Sequence, residues 1–257
     1  MDAEPIPPSQ ETTSIEPSSL TDRIANVIVA PGDVFAELKD APVRPSNWLV
    51  PLILACIATA IYMSVAFSQP PILRTMQEQR EAAMQKQVTA GKITQAQADQ
   101  ATAMTEKLFT PSLMKMLGAG GAVLAMAAGL FLMAAAIWLG LKFCTPARLD
   151  YMKVVEICGL ALVIDVPQKV IRLWLVLWKQ NLMATVSPAL FLANPSTTNR
   201  THVFLSMIDL VDFWWLAVLS LGLSKVASLR YRTAAVIAFG GWFGFRVAAA
   251  LLTPSQS

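Results

Sequence analysis

The sequence predicts an all-α, polytopic membrane protein with five transmembrane helices, and three observations predict it. Five apolar runs, Trp48–Phe67, Met116–Leu141, Val154–Trp178, Val203–Leu223 and Thr233–Leu252, each approach the roughly 20 residues that a helix needs to cross a bilayer. Hydrophobic residues make up 55% of the chain and charged residues only 14%, whereas an ordinary soluble domain carries about 25% charged residues. Mean hydropathy is +0.52, and a soluble chain exposing so much apolar surface would aggregate. With 257 residues, most of them in or between the runs, there is room for one membrane domain over 19–257 and for no separate soluble enzyme domain.

Residues 1–18 are rich in Pro, Ser, Thr and Glu, a composition that predicts a disordered tail. The tail has neither the basic start nor the apolar centre of a cleaved signal, so the first span is expected to direct insertion. Residues 20–40 read as two short amphipathic helices broken at Pro31-Gly32, with Ile24, Val27 and Ile28 and then Val34, Phe35 and Leu38 on the apolar face. Such a stripe before a span either lies along the bilayer surface or caps the underside of the bundle.

The first span, about 48–67, is followed by a segment of different character over 68–115, rich in Gln, Ala, Met and charges. Gly91-Lys92 reads as a turn and Thr94 as an N-cap, so Pro71–Ala90 and Gln95–Phe109 are expected to pair as a helical hairpin outside the membrane. At 1.5 Å per residue its arms would project about 25 to 30 Å. The hairpin and the N-terminal surface helices are the parts available to a protein partner, although a mere spacer is the first reading of the hairpin and partner contact the second.

The remaining spans lie at about 116–141, 154–178, 203–223 and 233–252. Pro167 removes a hydrogen bond inside the third, which should kink or be interrupted there. Orientation follows the loops that hold Lys and Arg close to the spans. Lys39 and Arg44 precede the first span, Lys142, Arg148 and Lys153 join the second to the third, and Lys225, Arg230 and Arg232 precede the last. These belong inside, which places the N-terminus in the cytoplasm and the hairpin and C-terminus outside. The sequon Asn199-Arg200-Thr201 falls on the outer side.

The last three spans hold ionisable residues where lipid penalises them. Asp165, Lys169 and Arg172 share one helix face, Ser206, Asp209, Asp212 and Ser220 make a polar stripe in the fourth span, and the fifth holds Arg246. Glu156 falls on the opposite face of the third span. A charged side chain near a helix centre costs about 2.5 to 3.5 kcal/mol, so the six central ones left bare would cost on the order of 15 to 20 kcal/mol. Three cations (Lys169, Arg172, Arg246) face three acids (Asp165, Asp209, Asp212), and the expectation is one neutral network in which Arg172 pairs with Asp209. It either locks three helices around a kink or forms a transport site of the broken-helix kind.

Small residues recur every four positions at Gly121, Ala125 and Gly129 and again at Gly240 and Gly244, the spacing that lets helix backbones approach closely. Packing within the chain is the first reading and a homodimer the second. Gly118, Gly120 and Gly121 do not make a dinucleotide loop, because Val123 stands where the last glycine belongs and no strand precedes it. The single histidine, His202, argues against a multi-histidine metal site, and no GxSxG, HExxH or P-loop occurs. Cys56, Cys144 and Cys158 have no CxxC spacing. No enzyme, cofactor or metal is expected, and the scattered basic residues give no footprint for nucleic acid.

Leu20-Thr21-Asp22-Arg23, then Pro31-Gly32-Asp33-Val34-Phe35, then Trp48 and Pro51, resemble the opening of the Ypt-interacting-protein (Yip) family. Ile208-Asp209, Phe213-Trp214, Leu219, Gly222-Leu223-Ser224 and Trp242 resemble its closing helices, and Val166-Pro167 its kinked third span. The resemblance implies five spans and a cytosolic N-terminus. Eukaryotic relatives bind Rab-type GTPases in vesicle traffic, and bacterial relatives sit in the inner membrane with largely unassigned roles. The short N-terminal region and the long hairpin depart from the eukaryotic pattern and point to a bacterial member. The expected function is membrane organisation or adaptation without catalysis, with transport of a small solute or ion through the charged cluster as the alternative.

Overall fold

The structure, a computed structural model, describes residues 18–108, 110–192, 205 and 208–252. Residues 1–17 of the tail, the sequon Asn199-Arg200-Thr201, His202, Val203 and Ser206 lie outside them. Among the described residues the regular elements are helical: α1 (Leu20–Val29), α2 (Pro31–Asp40), α3 (Ser46–Ala66), α4 (Pro70–Thr89), α5 (Gln95–Leu108), α6 (Pro111–Cys144), α7 (Tyr151–Ala161), α8 (Asp165–Lys179), α9 (Leu210–Val226) and α10 (Tyr231–Leu252).

The two N-terminal helices start where local chemistry says they should. Ser19 caps α1 by accepting the Asp22 N–H at 3.2 Å, and Pro31, which has no N–H to satisfy, opens α2. Of the two uses open to their apolar stripe, the structure shows the cap: Val34, Phe35 and Leu38 are buried, and α2 packs along α9. At the centre of the bundle stands α7, buried without interruption from Lys153 to Ala161 and packed against α3, α6 and α9. A helix buried on all sides needs apolar residues on all sides, which is why this run shows little amphipathic pattern.

Two of the five apolar runs form helices whose length and composition alone suffice to cross a membrane, α3 and the Lys115–Cys144 part of α6. The third run is not one bent helix about Pro167. It is α7, a 3-10 turn at Leu162–Ile164, and α8, in which Pro167 is the third residue. The turn lies just upstream because the missing N–H of Pro167 and its ring both act on the carbonyl of Val163, four residues earlier. In the fourth run, whose Val203, Phe204, Ser206 and Met207 lie outside the described residues, the 17 residues of α9 begin at Leu210, because Asp209 is its cap and stays extended.

Close backbone approach also occurs elsewhere than the four-residue stripes predicted. A Cβ placed on Gly121, Gly129, Gly240 or Gly244 would meet nothing within 4 Å. The intimate contacts are at Gly159, where α7 meets Trp48 of α3, at Gly118, where α6 meets the Phe67 ring, and at Gly222, where α9 receives Ile157 and Phe35. Spacing reports which small residues share a face, but not whether another helix covers it.

The polar insert forms a hairpin of α4 and α5 joined through Gly91, whose φ of 69° lies in the left-handed region that glycine enters without cost. Thr94 and Gln97 cap α5 reciprocally: Thr94 Oγ1 accepts the Gln97 N–H at 3.3 Å, and Gln97 Oε1 accepts the Thr94 N–H at 2.9 Å. The hairpin is largely exposed and is rooted by Ile72, which joins a second core of Tyr62, Ala66, Leu175, Val176 and Ala184.

Candidate functional site

The six central charges separate into two ion pairs and two residues with other work. Asp165 and Lys169 pair one turn apart on α8, with Nζ donating to Oδ1 at 2.6 Å. Arg246 of α10 pairs with Oδ2 of Asp212 on α9, and Gln168 of α8 donates to the other oxygen, Oδ1, at 3.1 Å. Asp212 therefore ties three helices together, with a neutral amide taking the place of a second cation.

Asp209 is not in the network. Its Oδ1 accepts the Val211 N–H at 2.9 Å, so its charge sits at the positive end of the α9 dipole, and Asp212 occupies the first turn beside it. No ion pair joins Arg172 to Asp209. The Arg172 guanidinium instead lies over the Tyr62 ring, 5.8 Å from its centroid, with Nε buried and without a hydrogen-bond partner. Among the described residues no carboxylate is within ion-pair distance of it.

Asp165, Lys169, Arg172 and Arg246 line a half-open cavity of about 700 Å³ between α3, α6, α8 and α10, to which Cys158 of α7 and Trp215 of α9 also contribute. The rest of the lining is mostly apolar, supplied by Met63, Met126, Leu130, Met133, Leu162 and Trp242 among others. Ala125 and Gly129 from the α6 stripe also face it, so the small residues there make room for space and not for a helix. Gly240 and Gly244 border a second, open groove between α6 and α10. A cavity of this size with a few polar groups on apolar walls has the form of a small-molecule site.

A second charged cluster, which the pattern of spans did not single out, is drier. Glu156 on α7 is fully buried; its Oε1 accepts from Asn47 Nδ2 at 2.7 Å and from the Arg44 N–H at 3.0 Å, and its Oε2 lies 3.0 Å from Lys153 Nζ. Lys153 Nζ also donates to the Ala41 carbonyl at 2.8 Å, so the cluster clamps the strand of chain between α2 and α3 onto α7. The available signal was Asn47, an amide at the head of an apolar run that would need a buried acceptor. This cluster is structural, while the cavity is the candidate for binding.

The Asp212–Arg246 pair is testable by charge exchange. Asp212→Arg and Arg246→Asp each set two like charges side by side, and each is expected to lower the stability of the purified protein by at least about 2.5 to 3.5 kcal/mol, the cost of a single uncompensated charge near a helix centre. The double exchange should recover most of the loss in thermal melting; a double variant no better than the worse single one would refute the pairing.

Residues 25–252 match the Yip1 domain family. No curated protein and no solved structure matches the chain.

Proposed function

Because the chain belongs to the Yip1 domain family, whose members are membrane proteins, we propose that it is a non-enzymatic integral membrane protein that organises partners or bilayer shape from the inner membrane of a bacterium. In this reading α3, α6, the α7–α8 pair, α9 and α10 are the five spans, with the N-terminus in the cytoplasm. Support comes from the connections: residues 41–45, 145–150 and 227–230, with their flanking Lys and Arg, are at one end of alternating helices, and the hairpin is at the other. The stacked Trp174 and Trp178, both largely exposed and followed by Lys179, fit the aromatic belt of the outer interface.

The observation that carries the adaptor role is the hairpin. It presents two helices of mostly polar, exposed surface, the second capped by Thr94, and Ile72 anchors it to the bundle at its root. A photo-crosslinking residue at the exposed Gln85 should trap a protein adduct of one defined size in intact cells, whereas the same residue at the exposed Ile57 of α3 should not trap that adduct.

The cavity favours a second reading, passage of a small solute or ion along Asp165 and Lys169. Reconstituted vesicles separate the two: solute flux that Asp165→Asn abolishes, together with no adduct at Gln85, would replace the adaptor reading by transport.

A further inference from the structure

We propose that the cavity between α3, α6, α8 and α10 binds a single anionic phospholipid, with Arg172 as the contact for its phosphate and the α6 side as the wall for an acyl chain. The inference is independent of whether the hairpin recruits a partner, and it rests on charge, depth and shape.

The cavity is lined by three cations, Lys169, Arg172 and Arg246, and one carboxylate, Asp165; Asp212 pairs with Arg246 from outside the lining, and Asp209, also outside it, is near enough to feel Arg172 but makes no ion pair with it. The pairings identify the one lining cation with no direct partner. Lys169 and Arg246 each have a carboxylate, and Arg172 has the face of Tyr62 and an unused buried Nε–H. An unpaired guanidinium in a low-dielectric wall is costly, and a bound anion would remove that cost. Arginine also offers a planar fork that suits the oxygens of a phosphate.

Depth agrees. Arg172 is about half a helical turn from Trp174 and less than two turns from Trp178, so its guanidinium can reach the level at which a headgroup sits. From Ala122 to Met133 the α6 wall runs about 17 Å, close to the depth of one leaflet of a hydrocarbon core about 30 Å thick. Along it Met126, Leu130 and Met133 give adaptable apolar contact, and Ala122, Ala125 and Gly129 leave room for a chain. Gly129, which lines the cavity, has no neighbour within 4 Å of where a Cβ would stand. A free anion would use Arg172 but would leave this wall without purpose.

The test uses the full-length protein in zwitterionic detergent, titrated with phosphatidylglycerol, phosphatidylcholine or inorganic phosphate, with bound lipid read by native mass spectrometry and ligand-induced melting shifts. Phosphatidylglycerol should bind at least about tenfold more tightly than phosphatidylcholine. Arg172→Gln should erase that preference, Arg172→Lys should keep part of it, and Lys142→Gln, at the opposite end of α6, should leave it intact. Met126→Trp, which fills the apolar wall and leaves Arg172 in place, should lose lipid binding altogether. Equal affinity for the two lipids, a preference that survives Arg172→Gln, or a full shift from inorganic phosphate alone that Met126→Trp leaves unchanged would each overturn the assignment. Loss of lipid preference with the Gln85 adduct intact would fail this site and spare the adaptor role.

Discussion

Replacing Glu156 by alanine is expected to destabilise the protein by about 3 to 5 kcal/mol, because the other half of a buried pair is left without compensation. The loss is compound. Lys153, only 7% exposed, would keep its ammonium beside the Ala41 carbonyl with no counter-charge, and Asn47 Nδ2 and the Arg44 N–H would lose their acceptor. Each orphaned buried donor costs about 1 to 3 kcal/mol. Glu156→Gln preserves an acceptor oxygen for Asn47 or Arg44 and removes only the charge, so it should fall between the wild type and alanine. Exchanging both partners for apolar residues, Lys153→Met with Glu156→Leu, should be milder than Glu156→Ala alone, since no lone charge stays behind. Thermal melting in detergent orders the four proteins. A double variant less stable than Glu156→Ala would show that the clamp acts through something other than buried charge.

Gly159→Ala should cost more than any other single methyl added to the bundle. The new Cβ would stand 2.3 Å from the Cβ of Trp48 and 2.5 Å from its Cα, and a backbone atom cannot rotate out of the way. Helix α3 must therefore move off α7, which also pulls on the Asn47–Glu156 hydrogen bond one residue away from Trp48. Overpacking a close-packed interior costs about 1 to 3 kcal/mol, and larger side chains cost more. The matched control is Gly240→Ala, which faces open space and should be neutral or stabilising by up to about 1 kcal/mol through helix propensity alone. Equal melting temperatures for the two alanine variants would contradict the packing described here.

These two positions also mark the line between what the chain declares and what it conceals. Helices α1, α2, α4 and α5 were legible because their signals are local: Ser19, Pro31, Gly91 and Thr94 act within a few residues of where they stand. The apolar runs were legible because they are long. The start of α9 was not, since Ile208 and Leu210 look alike to a hydropathy scale while Asp209 between them is extended and caps the helix. The identity of the charged residues in the site was also open to reading, but not their pairing. Arg172 and Asp209 had opposite charge and similar depth, and Gln168, an amide that no count of charges includes, took a place on Asp212.

By itself, then, the sequence determined the all-helical class, the positions of the apolar runs, the polar hairpin and the set of ionisable residues that hydrocarbon obliges to find partners. Each of these follows from composition or from spacing within one segment. Only the tertiary structure decided that Gly159 and Gly222, and not Gly121 or Gly244, carry the close contacts, and that Glu156 holds the chain between α2 and α3. It alone left Arg172 facing the cavity with no carboxylate at ion-pair distance among the described residues. The reason is geometric: helical periodicity fixes the face on which a side chain lies, whereas what that face meets depends on how helices distant in sequence rotate and splay against one another.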